Sequence, residues 1–591
     1  MGTTATNENG GKGLRKRIWR FTKDDFLPEE SFRSWGNYVN ALSHTGQRLK
    51  DRLLTRSMDE VELHQVRARS QHQMKKTLSW WDIIWFGVGS VMGSGIFVLT
   101  GEAMRNYAGP AVVISYVISG VSALLSVLCY TEFTVELPVS GGSFAYLRVE
   151  LGDFIAYIAA GNILFEYVVG GASVARSWTS YFATLCNHDP DSFRIHVPSF
   201  PEACSYLDPI AVGISILICI GASASIKGSS RFNSITSISQ IFVLIFILIT
   251  GLTKANPKYL VEHFAPHGIR GMLKASSILF FAYVGFDGVA TLGEEIKNPG
   301  RDIPIGLIGS MMIIIGFYTA LSTTLALMQP YTHIDTNAPF TMAFKAVGMD
   351  WAKYVVATGA LEGMTAVLLA NIIAQGRYFT HIGRTHMAPP FLAAINKKTG
   401  TPMNATIIMT LLNSIVALFT SLDVLASLLS IATLFLFSLV ALALIVRRYH
   451  VTGETTDSDR NKLIAFLTLI VGSSMATAAY WAVSSGWFAY SITVSVWFLS
   501  TLGLQLTLKE ARKPKLWGVP LNPWLPSACI AFNLLVMGSI DRASFERFGI
   551  WTLLLLVYYI FIALHASYDA AKEIERETNK SAPATLEAGK S

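Results

Sequence analysis

The chain is 591 residues long, 51% hydrophobic and only 15% charged, with a mean hydropathy of +0.42. This balance excludes an ordinary soluble domain and places the chain among polytopic membrane proteins. A formal charge of +7 reads as Lys and Arg concentrated in loops on one side of a membrane, and does not point to a nucleic-acid partner. Five cysteines are too few for a disulfide framework. Cys129, Cys219 and Cys529 fall in apolar runs. Cys186 and Cys204 flank a polar loop, where they either pair or stay free.

The first ~80 residues are polar and lack the apolar core of a signal peptide. Gly2 to Thr6 fit a myristoylation pattern formally, but a protein with many spans needs no lipid anchor. Windows of about 20 apolar residues predict about fourteen spans. Their limits are 80–100, 111–135, 153–184, 208–226, 232–253, 274–295, 304–328, 352–380, 404–421, 424–446, 463–484, 487–507, 523–541 and 549–567. The division is a cytoplasmic N-terminal region (1–79), a transport core (80–446), additional spans (447–567) and a cytoplasmic tail (568–591). Lys75 and Lys76 stand beside the first span. The even-numbered connections carry Arg148, Lys227, Arg231, Lys297, Arg301, Arg377, Arg384, Lys397, Lys398, Arg447, Arg448, Arg460, Lys462, Lys509, Arg512, Lys513 and Lys515. The positive-inside rule then puts both termini in the cytoplasm. Lys254, Lys258, Arg270 and Lys274 run against this trend. The sequon at Asn404 faces the cytosol on this topology and stays unmodified.

Two spans carry glycines at their centres: Gly93-Ser94-Gly95-Ile96-Phe97 in the first and Phe280 to Gly288 in the sixth. Glycine is costly in a helix, so both spans are expected to break there. A break exposes free N–H and C=O groups, which lipid does not tolerate unless they face protein or a water-filled cavity. Gly95, Ile96 and the residues after them start a half-helix whose first amides suit a carboxylate. The carbonyls ending the preceding half suit an ammonium group. The sixth span offers the same at Phe281, Ala282 and Val284. One site with both features fits the two ends of an amino acid. The competing reading is that the glycines only allow close helix packing. Five spans separate the breaks, and five is odd, so two such units cross in opposite senses. This is the inverted-repeat pattern of secondary transporters.

Glu132, Glu166, Asp287 and Glu362 are acids inside apolar segments, each costly if it faces lipid. Glu166 sits mid-span and Asp287 lies one turn past the sixth-span break. Either pairs with a basic substrate, relays a proton or ties helices together. For Glu132 and Glu362 the helix tie is the leading reading. Glu294, Glu295, Lys297, Arg301 and Asp302 form a charge cluster at one mouth, suited to fixing a loop or a gate.

The first-span motif, the Phe280 to Asp287 run and Glu294-Glu-Ile-Lys-Asn-Pro-Gly-Arg-Asp-Ile-Pro304 resemble the amino acid–polyamine–organocation superfamily. Within it the chain is similar to cationic amino acid transporters. The fourteen-span layout and Phe21-Thr-Lys-Asp-Asp-Phe-Leu-Pro-Glu-Glu30 resemble the plant branch. The resemblance implies an all-α, LeuT-like fold of two five-helix inverted repeats with about four added C-terminal helices. It implies a substrate carboxylate near Ser94 and Gly95. It also implies an amine held by carbonyls near Val91, Phe281, Ala282 and Val284. Glu166 matches a third-span carboxylate of bacterial relatives, and Asn371 falls where an eighth-span residue limits the side-chain pocket. Gln240 stands where proton-coupled relatives carry a lysine. It cannot titrate near neutral pH, so coupling falls to Glu166 or Asp287, or transport is facilitated.

The expected function is an amino acid permease favouring arginine, lysine and related cations, with or without a coupled proton. A broad neutral amino acid or glutamine permease is the same-class alternative, and a transport-like nutrient receptor the alternative of another class. A lipid-modifying enzyme is disfavoured: the chain has no Asp-Asp-x-x-Asp, no His-Glu-x-x-His and no mid-span histidine. No catalytic residue, metal or cofactor is expected. The expected residence is the cell membrane, with the vacuolar membrane as alternative.

Overall fold

The computed structural model describes residues 26–54, 78–93, 95–137, 142–201, 204–224, 226–290, 296–396, 401–451, 453–483 and 486–573. Gly2 to Thr6, Lys75, Lys76, Ser94, Glu294, Glu295, Lys397, Lys398 and the tail beyond 573 lie outside these residues.

Each of the fourteen predicted segments coincides with a helix or a broken helix. The first span comprises Trp80–Val91 and Gly95–Glu102, followed by Val112–Glu136, Asp153–Leu185, Pro209–Ala224 and Ile226–Leu252. The sixth span starts as Gly268–Leu279, tightens into a 3-10 turn at Phe280–Tyr283 and resumes at Asp287–Ala290. Pro299–Met328, Asp350–Arg384, Met403–Phe419 and Leu422–Tyr449 complete ten. Asp457–Val483, Trp487–Thr507, Trp524–Met537 and Arg542–Tyr558 follow, the last continuing as helix to 573. Among the described residues, nine helical segments are long and apolar enough to cross a membrane, and four further apolar helices are shorter. The only paired strands among these residues are Ile195–His196 and Tyr206–Leu207, two residues each. The protein is therefore all-α and polytopic.

Helix packing carries the repeat that the sequence does not display as self-similarity. The second span packs on the seventh, the third on the eighth and the fourth on the ninth. Contacts of the third with the ninth and tenth have counterparts in those of the eighth with the fourth and fifth. Contacts of the first with the seventh are matched by those of the sixth with the second. Exchanging each span with the one five later thus returns the same packing. Each unit also carries a short helix between its second and third spans, Gly142–Leu151 and Pro339–Ala346, which the hydropathy pattern did not reveal. The tenth span is 78% buried over its apolar window. The eleventh, twelfth and fourteenth are 28%, 17% and 22% buried and stand at the periphery, while the thirteenth packs against the tenth and second.

The N-terminal region is polar but not featureless. Ser34 caps the helix Trp35–Ser43 by accepting from the Asn37 amide at 3.1 Å. A second helix, Thr45–Leu54, follows. Arg52 pairs with Asp153 at the start of the third span at 2.8 Å, and Arg48 with Asp569 of the fourteenth at 3.3 Å. Glu29 meets His386, just past the eighth span, at 2.6 Å. The segment straps three span ends together on the N-terminal face. On the same face, Arg448 at the end of the tenth span pairs with Glu132 of the second at 2.7 Å. The Val519 amide donates to the same carboxylate at 2.7 Å. Glu362 accepts from the Ser239 hydroxyl at 2.8 Å. Both acids are engaged as helix ties, and partners of this kind offset part of the cost of taking a carboxylate out of water.

Candidate substrate site

The two breaks lie against each other, and each uses a glycine to admit the other. A side chain on Gly95 would collide with the backbone and the Cβ of Ala282 in the sixth span, the Cβ at 2.6 Å. A side chain on Gly285 would meet the Ser90 carbonyl oxygen of the first span at 2.6 Å, and Gly285 has φ +120°. L-residues rarely adopt that conformation. Gly95 therefore serves the approach of two helices, beyond the approach to a substrate that the sequence suggested.

Tyr318 of the seventh span ties the breaks together. Its hydroxyl lies 3.1 Å from both the Val91 and the Ala282 carbonyl oxygens, and its single proton serves one of them at a time. Val91 also accepts from the Gly93 amide at 2.9 Å, so at most one of its lone pairs is left. Phe281 accepts one bond, from the Val284 amide at 3.1 Å, while Val284 accepts none among the described residues. The carbonyls with most capacity left for an ammonium group are thus Phe281, Ala282 and Val284, ahead of Val91. On the other side, the half-helix Gly95–Glu102 begins with amides whose partners cannot be intrahelical. Sequence reasoning passed over Tyr318. A mid-span tyrosine hydroxyl, which must find a partner when buried, was the available signal.

Accessibility differs sharply across the breaks. Residues 95–101 and 275–283 are buried throughout, whereas Ser90, Val284, Asp287, Glu166 and Asn371 are half-buried. The loop at 335–339 packs over Gly101, with Thr336 Cα at 3.1 Å from where a Gly101 side chain would stand, and the Phe97 and Phe340 rings meet at 5.8 Å. The site is closed on that side and accessible from the side of the N-terminal straps.

Glu166 and Asp287 face each other closely enough to repel, and Thr433 of the tenth span lies within hydrogen-bonding reach of Glu166. Asp287 stands at the first position of the short helix after the break, beside its free amides, which favour an acid there. Glu166 stands mid-helix, away from such amides, and is the acid left for a mobile charge. Tyr167 and Tyr378, with rings 6.0 Å apart, wall this part of the site.

Asn371 lies where the third, eighth and ninth spans meet. Its Oδ1 would stand 3.1 Å from a side chain on Gly171, and this oxygen has no hydrogen-bond partner among the described residues. Asn413 of the ninth span, fully buried, presses on the same glycine with both amide atoms unpartnered. Gln240 is 3% exposed, has both amide atoms unpartnered and packs on Gly363 of the eighth span. Gly363 also borders Gly93, which places Gln240 behind the first break. Cys186 and Cys204 are both free thiols. Among the described residues no group of three or more His, Cys, Asp or Glu has a metal-binding arrangement.

A profile of the family described as amino acid permease matches residues 78–564. Cationic amino acid transporter 1 of Arabidopsis thaliana is 61% identical over 569 residues, 96% of each chain. Cationic amino acid transporter 5 of the same plant is 51% identical, over 95% of this chain and 99% of its own. The relative named cationic amino acid transporter 8, vacuolar, is 50% identical over 95% of each. Two facing helix breaks, an exchange-symmetric ten-helix core and these likenesses agree: the chain is a membrane transporter rather than an enzyme, and it belongs to the amino acid permease family, with the plant-type cationic amino acid transporters of the amino acid–polyamine–organocation superfamily.

Proposed function

We propose that the protein moves arginine, lysine and related cationic amino acids by alternating access. The observation that carries this reading is the arrangement around the breaks. Free amides at Gly95 and Ile96 suit an α-carboxylate, open carbonyls at Phe281, Ala282 and Val284 suit an α-amine, and Glu166 stands beyond them for a third, positive group. Neutral amino acids share the first two contacts and lack the third. The burial of residues 95–101 and 275–283, on the loop 335–339 side of the breaks, supports a state open toward the N-terminal face. Gln240 leaves a proton no lysine to ride on, so any coupling runs through Glu166 or Asp287. A cation entering a cell is in any case drawn by a negative potential, by about 2.3 kcal/mol per charge per 100 mV. The plasma membrane with both termini cytoplasmic is the proposed setting, and the vacuolar membrane the alternative that a relative's name brings in. Uptake of labelled arginine, lysine, glutamine and alanine by transport-deficient cells, at two external pH values, tests the proposal. Accumulation of glutamine and alanine without arginine would replace it with the neutral permease.

A further inference from the structure

On the far side of the packed loop lies a cavity of about 250 Å³ lined by Glu102, Arg176, Asp191, Asn337, Ser421 and Asp423, among others. That is about eight water volumes, room for a solute of amino acid size. Glu102 is seven residues past Gly95, about 10 Å along the half-helix. The cavity therefore stands outside the closed side of the central site, in line with it.

Its lining is bipolar. Glu102 and Asp423 lie close enough to repel each other, and neither forms an ion pair among the described residues. Asn106 donates to Glu102 at 2.7 Å, and Arg105 and Lys274 act on it from beyond ion-pair distance. Asp423 also gains from the start of the tenth helix, whose dipole favours an acid there. In the same lining Arg176 is 2% exposed. It donates to the carbonyls of Ala417 at 2.9 Å and Tyr206 at 3.1 Å, while its Nε has no partner. The Ser421 hydroxyl, at the N-terminus of the 28-residue tenth span, is likewise buried without a partner. The Arg176 Nε–H and the Ser421 hydroxyl, buried beside a polar cavity with no partner among the described residues, have room for an acceptor. The half-buried Glu102 and the exposed Asp423 offer a cation two carboxylates. Asp191 is already engaged by Arg194 and by Asn337 at 3.2 Å, so it closes the rim rather than binding.

We propose that this cavity is an outer docking site for the transported amino acid. The α-carboxylate lies at Arg176 and Ser421, and the positive groups lie at Glu102 and Asp423. The inference rests on the permease reading above. The test uses the full chain, purified and reconstituted in lipid. Equilibrium binding of labelled arginine should give two sites per chain in the wild type and one in the double variant Glu102→Gln/Asp423→Asn. In transport, that variant should raise KM for arginine about tenfold with kcat unchanged, and raise KM for alanine less. Ser421→Ala, a mild change, should raise KM for both alike, because the carboxylate is common to both. A single site in the wild type, or an unchanged KM in both folded variants, overturns the outer site while leaving the permease reading intact. Absence of arginine binding and transport in the wild type overturns both.

Discussion

The first-span break leaves an intact half-helix beyond it, Gly95–Glu102, whereas the sixth-span break passes through a 3-10 turn into a helix described only over Asp287–Ala290. One break presents ordered amides and the other presents carbonyls in a turn. The glycines differ in the same way. Gly95 keeps ordinary helical backbone and is needed for the space beside it, while Gly285 is needed for its φ of +120° as well. The breaks are equivalent by position and complementary in chemistry, which is what binding an asymmetric solute at a symmetric junction requires.

The strongest way to break this comparison is to fill the junction from either side. Gly95→Val and Gly285→Val should each lower uptake by about a hundredfold at equal membrane expression, as expected for a binding element displaced by ~1 Å. Normal uptake by one of them would show that only the other break touches substrate. Glu166→Gln separates the shared site from the charge-reading one. Arginine uptake should fall by about tenfold or more relative to alanine, because a charged partner is lost. If all substrates instead lose their pH dependence together, Glu166 carries protons, and wild-type kinetics would remove it from the mechanism. Asn371→Met should lower the arginine-to-alanine ratio by about three- to tenfold by narrowing the far pocket. An unchanged ratio places Asn371 outside that pocket. The smallest effect is expected from Tyr318→Phe. It removes one hydroxyl that serves two carbonyls, so stability should fall by about 1 kcal/mol, read as a lower Tm, with turnover slowed for all substrates alike. A substrate-selective change would mean that Tyr318 contacts the solute instead of joining the breaks.

Much of this architecture was open to reading from residues alone. Apolar windows determined the fourteen segments, including the separate eleventh and twelfth, because crossing a bilayer demands local, contiguous hydrophobicity. Glycine at mid-span determined the breaks, because its cost in a helix is local too. The acids stood out for the same reason, but their roles did not: among the described residues Glu132 has an arginine partner in another span, while Glu362 and Glu166 meet only hydroxyls there. That distinction depends on contacts across hundreds of residues. So do the meeting of Gly95 with Ala282, the bridging by Tyr318, the engaged state of the Val91 carbonyl and the straps from Arg48 and Arg52. The outer cavity gathers residues from 102 to 423, and no window of sequence contains it. Hydropathy and backbone propensity act on neighbours in the chain, and the sequence by itself determined what depends on them. Hydrogen-bond satisfaction and close packing act on neighbours in space, and only the tertiary structure decided which carbonyls stay free, which acids stay unpaired and on which side the site opens.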